Sequence, residues 1–108
     1  MTDALSRFRL DYTPLMLRFL AQQDESGLQA AYELGRAALR EQLGLLDVVR
    51  VHNELVLEVL ATARDVAEAH DLAHSSTTLL IDLIAAYDMS QRGFMDLSRR
   101  PAPRRRRC

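Results

Sequence analysis

Apolar side chains recur at intervals of three and four along almost the whole chain, and residues able to interrupt a helix are scarce. Leu5, Phe8, Tyr12, Leu15, Met16, Phe19 and Leu20 open the pattern, which is the spacing that places side chains on one face of a 3.6-residue helix. Only three prolines and four glycines punctuate 108 residues, too few for a succession of β-turns. Leu, Ala and Arg are the commonest residues, which favours helix over strand. A chain of this length with 48% hydrophobic residues supports a single core. The expectation is an all-α domain, an antiparallel four-helix bundle over residues 1–98, followed by a tail at 99–108.

The first helix is expected from about Asp3, a side chain suited to capping, to Gln22. Pro14 lies inside its stripe, where a lost hydrogen bond and a clash cost about 3 kcal/mol. Either the helix kinks there, or Thr13 caps a shorter helix with Pro14 in its first turn. The unbroken stripe favours the kink. Gln23 to Gly27 is polar and reads as a connection into a second helix, about Gly27 to Gln42. Its face of Leu28, Ala31, Tyr32, Gly35, Ala38 and Leu39 is rich in small residues, which either lets another helix approach closely or includes a merely tolerated glycine at Gly35.

Gly44 breaks the chain again, and a third helix is expected from Leu45 to about Ala69, with Asp47 in its first turn favoured by the helix dipole. Val48, Val49, Val51, Leu55, Val56, Val59 and Leu60 sweep about 180° of its wheel, wider than the roughly 100° stripe of a surface helix. That width predicts the most buried helix of the four. His70 to Thr77 is Ser-rich and reads as a loop, with Ser75 or Ser76 capping a fourth helix from about Thr77 to Ser98. Its main side carries Leu79, Leu80, Leu83, Ile84, Tyr87, Phe94 and Leu97. Ile81 and Ala85 stand on the opposite side beside Asp82 and Asp88, a second apolar patch that is either a partner contact or chance, with contact favoured.

Charge divides the chain. Residues 1–98 carry eight arginines against fifteen carboxylates, a net of −7, whereas the tail adds six arginines. An acidic body repels nucleic acid, so binding there would rest on the tail, and the aromatics that could stack on bases lie on the helical stripes instead. Direct nucleic-acid binding is therefore the alternative reading and not the expected one. The tail, with two prolines and like charges, is expected to be disordered. No apolar run reaches the roughly 18 residues of a membrane span, and the first residues lack the layout of a signal peptide, which points to the cytoplasm without membrane attachment. Cys108 is the single cysteine, so neither an intrachain disulfide nor a thiolate zinc site is expected.

Little in the sequence reads as chemistry. A di-iron bundle needs inward carboxylates and two Glu-x-x-His motifs. Asp71-x-x-His74 and the His70, His74 pair are loose approximations, and both fall in the expected loop. No metal and no cofactor are expected. His52 lies within the apolar arc of helix three, where a histidine hydrogen-bonded at the edge of a core needs no catalytic role and should be neutral near pH 7. A carboxylate partner such as Glu54 would instead raise its pKa. With no nucleophile triad or phosphate loop, the chain is not expected to be an enzyme.

The stretch Ala31-Tyr32-Glu33-Leu34-Gly35-Arg36-Ala37-Ala38-Leu39, followed by Leu45-Leu46-Asp47-Val48-Val49-Arg50-Val51-His52-Asn53-Glu54-Leu55, resembles the N-terminal domain of RsbU-type phosphoserine phosphatases. Phe8, Tyr12 and Leu15 to Leu20 fit that family's first helix, and Ala86 to Phe94 fit its last. The resemblance implies a four-helix domain, structurally akin to the C-terminal domain of the clock protein KaiA, that pairs through its helices into a homodimer. It further implies a bacterial partner-switching role in stress and sigma-factor signalling, receiving a serine/threonine switch kinase. Glu25, Leu28, Ile81, Asp82 and Ala85 are the expected partner-binding residues, and Tyr32, Gly35, Ala38 and Tyr87 the expected dimer or helix-packing residues. The family's phosphatase module, with its metal-binding aspartates, does not appear in the sequence, which leaves open a free-standing binder or a decoy that titrates a partner.

Overall fold

The computed structural model describes residues 3–99, with side chains as far as residue 93. The expected tail beyond Arg99, and the side chains of Phe94 and Leu97, lie outside the described residues. Four helices form, α1 (Ala4–Gln22), α2 (Glu25–Arg40), α3 (Leu45–Leu60) and α4 (Val66–Arg99), and no strand occurs among the described residues. None of these helices is long and apolar enough to cross a membrane.

Asp3 caps α1, its carboxylate accepting from the Ser6 amide at 2.7 Å. The helix continues through Pro14, so Thr13 is no N-cap; its hydroxyl donates to the Arg9 carbonyl at 2.7 Å. Phe8, Tyr12, Met16 and Phe19 are its buried face. The link to α2 is shorter than the sequence suggests, because Gln23 takes the left-handed conformation (φ 51°) and closes α1 by donating from its amide to Phe19. Asp24 already caps α2, accepting from the Gly27 amide at 3.1 Å. Gly27 is thus inside the first turn and buried, and a Cβ there would stand 2.8 Å from the Phe19 ring.

The connection to α3 turns on Gln42 (φ 62°) and not on Gly44, whose φ is negative. Gln42 and Leu43 donate back to Leu39 and Ala38, a Schellman closure without its usual glycine. The Tyr87 hydroxyl donates to the Leu43 carbonyl at 2.7 Å, fastening this turn to α4.

The largest correction concerns α3 and α4. Helix α3 stops at Leu60, and residues 70–77 are helical, not a loop. Asp65 begins α4, accepting from the Glu68 amide at 2.8 Å, while Glu68 reaches back to the Arg64 amide at 2.7 Å. This is a capping box displaced by one residue. Ser75 and Ser76 lie mid-helix and buried, so neither caps α4. Ser76 and Thr78 donate to the carbonyls of Ala73 and His74 behind them, so a Ser- and Thr-rich run satisfies its hydroxyls without leaving the helix.

Helices α2 and α4 share the largest interface. Gly35 is the point of closest approach: a Cβ there would come 2.2 Å from the Leu83 carbonyl oxygen and 3.1 Å from the Ala86 methyl. The core gathers Tyr12, Met16, Val48, Val51, Leu79 and Leu83 at its centre. Helix α3 is not the most buried element, since Leu45, Leu46, Val49 and Leu57 stand exposed on it. Its wide arc resolves into two faces. Val48, Val51, His52 and Leu55 point inward, while Leu46, Val49 and Leu57 fall on one outward stripe at 100° per residue.

Candidate partner-binding surface

Length sets how α4 presents its residues. At about 1.5 Å per residue its 34 residues span roughly 50 Å, twice α2 or α3 at 16 residues each, and the molecule measures 66 × 35 × 21 Å. The described buried side chains of α4 all lie between Ser75 and Tyr87, at spacings of one, three and four. Residues of the same stretch that miss this phase are half-buried or exposed.

Ile81 is the clearest of these, 59% exposed on a helix anchored by Leu79 and Leu83 on either side. Ala85, one turn on, is exposed, and Asp82 is half-buried. Ile81 and Ala85 border an open cavity of about 510 Å³ together with Leu80, Ile84 and Leu45 from α3, with Asp88 at its edge. Asp88 is paired with Arg92 at 3.0 Å, and the apolar floor is suited to an apolar protein side chain.

Glu25 and Leu28 are exposed and half-buried in the first turn of α2. Among the described residues no hydrogen bond or ion pair joins them to Ile81, Asp82 or Ala85. The side chains that share the cavity with Ile81 include Leu45 and Ile84, which the sequence did not single out for this role. Leu45 opens α3, and its proximity to α4 follows from the turn that Tyr87 fastens, a contact without a local sequence signal. Tyr32 is half-buried; Gly35, Ala38 and Tyr87 are buried within the chain.

A second open cavity, about 870 Å³, lies between α2 and α4, where Leu39 and Leu43 meet Tyr87 beside Arg36 and Arg40. It shares Tyr87 and Gln91 with the first.

The buried polar centre is a separate feature. Tyr12 and His52 meet at 2.6 Å between hydroxyl and Nδ1, joining α1 to α3. The Tyr12 side chain is fully enclosed, and no buried side-chain polar atom among the described residues lacks a partner. We assign the phenol as donor to a neutral ring, since its proton would otherwise be buried unpaired. Burial holds the His52 imidazole down to about 4 and pushes the Tyr12 phenol up. Glu54 is not its partner; it pairs with Arg9 at the surface, as Glu41 does with Arg7. With the ring's Nδ1 committed to the phenol and its surroundings apolar, the pair reads as a core hydrogen bond.

Among the described residues no group of three or more His, Cys, Asp or Glu side chains converges. A family model described as the N-terminal domain of the phosphoserine phosphatase RsbU matches residues 10–90. The matched segment includes Ile81, Asp82 and Ala85 as well as the Tyr12–His52 pair. No curated relative and no solved structure matches the chain.

Proposed function

The chain belongs to the family of RsbU N-terminal domains, and from that premise we propose that it is a dimeric regulatory domain of bacterial partner-switching signalling that binds a serine/threonine switch kinase. Membership implies the signalling role, and the matched family is the phosphatase's N-terminal domain, not its catalytic one.

The observation that carries the docking reading is Ile81, a large apolar side chain kept exposed between two fully buried leucines. A helix with a rigid inner face and an apolar outer patch suits recognition by a folded partner, because little order has to be created on binding. Ile81 and Ala85 would supply the apolar centre, with Asp82 at the rim and Glu25 and Leu28 extending the surface.

Homodimerisation has a different support. Gly35, Ala38 and Tyr87 are used in packing within the chain, so a dimer of antiparallel four-helix domains needs another face, and the outward stripe of Leu46, Val49 and Leu57 on α3 supplies one. These residues are 63%, 37% and 59% exposed, which leaves an apolar helix face open to a second copy.

Titrating the purified chain with the switch kinase of its source cell tests the docking reading. Saturable binding at one kinase per protomer is expected. No binding at about 100 μM kinase, weaker than roughly 5 kcal/mol of association free energy, would contradict it.

A further inference from the structure

The N-terminal part of α4 carries a second arrangement of side chains. On α4, His70 and His74 stand one helical turn apart with ring centroids 6.5 Å apart and planes parallel, so both rings must turn about their side-chain bonds before their in-plane lone pairs meet at one point. Residues four apart on a helix share a face, so the backbone itself presents two imidazoles side by side. Both are exposed, and their rings can lean together without disturbing the core. Asp71 Oδ1 lies 3.7 Å from His70 Nδ1. That is too long for a hydrogen bond, so Asp71 supplies negative charge beside the pair and leaves the ring nitrogens free.

The same stretch has little else to hold it. Between Val66 and His74 no residue is buried, and the first buried side chain of α4 is Ser75. A link across one turn there would add order where packing adds little.

We propose that His70 and His74 chelate a borderline divalent transition metal ion, Zn²⁺, Ni²⁺ or Cu²⁺, through one nitrogen of each ring at about 2.0–2.1 Å, with water completing the shell. Imidazole selects these ions over Mg²⁺ and Ca²⁺, which demand several oxygen ligands. The bound ion clamps the first turns of α4.

Ring resonances of the full chain, followed by NMR during titration with Zn²⁺, test this. His70 and His74 are expected to shift together and saturate at one ion per chain, while His52, buried with Tyr12, stays unmoved and Mg²⁺ has no effect. His74→Gln, at an exposed helical position, should weaken the response at His70 by about tenfold or more, since a second tethered ligand acts at high effective concentration. Amide exchange in residues 66–74 should slow with Zn²⁺ in the native chain and not in the variant. An unchanged His70 response in His74→Gln, two independent saturations, or a response confined to the Cys108 thiol would overturn the proposal.

Discussion

Gln23 and Gln42 hold conformations that a side chain resists. Both have positive φ at the ends of helices, where the left-handed region costs a residue with Cβ about 1–2 kcal/mol and glycine almost nothing. Gln42→Gly should therefore raise stability by about 0.5–1 kcal/mol, the gain being trimmed by the greater freedom of glycine in the unfolded chain. Chemical denaturation measures this, and a loss of stability would mean that the Gln42 side chain makes a contact outweighing the strain. His52 gives the second test at this scale. Its folded pKa is about 4 against an ordinary 6.5, the cause being burial. Between those values the unfolded chain binds a proton that the folded one refuses. Stability at neutral pH is thus progressively lost as the pH falls from about 6.5 to 4, on the order of 3 kcal/mol in all, and the slope vanishes below 4. The carboxylates of Asp3, Asp24 and Glu68, held below their ordinary values by hydrogen bonds, act at lower pH. Denaturation midpoints collected across pH 7 to 4 should show this slope in the native chain and lose it in His52→Gln.

Among the elements, the α2–α4 pair depends on one missing methyl group. Gly35→Ala gains about 1 kcal/mol in helix propensity, yet its Cβ would overlap the Leu83 carbonyl at 2.2 Å, and backbone cannot swing aside as a side chain does. A net destabilisation of about 1–3 kcal/mol is expected from overpacking; thermal melting that shows stabilisation would place the helices further apart. The small-residue strip at 31, 35 and 38 made this close approach legible from sequence, as the stripe of α1 did its buried face. The boundary between α3 and α4 was not legible by composition. Ser75, Ser76 and Thr77 resemble a loop, but hydroxyls bonded to preceding carbonyls are compatible with helix, and the true start was written in Asp65 and Glu68, three residues apart. The docking patch was half legible: the phase of Ile81 follows from the spacing of Leu79 and Leu83, whereas the approach of Leu45 depends on a tertiary hydrogen bond from Tyr87. The two faces of α3 could not be separated by periodicity, because apolar residues on both merge into one wide arc.

At the scale of the whole molecule, a packed core carries two exposed apolar surfaces among the described residues, one on α3 and one on α4. If the α3 stripe pairs two copies, sedimentation at tens of micromolar should give a dimer, and Leu57→Arg should give a folded monomer because it places a charge in the buried centre of the contact. A native chain that sediments as a monomer would remove the dimer. The α4 patch carries the functional claim, and Ile81→Asp tests it most directly when melting and kinase binding are measured on the same sample. Because Ile81 is 59% exposed in the free chain, the substitution should change stability by no more than about 0.5 kcal/mol. In the complex it would bury an unpaired carboxylate, costing several kcal/mol and lowering affinity about a hundredfold or more. A folded Ile81→Asp chain that binds the kinase as tightly as the native one would contradict the account.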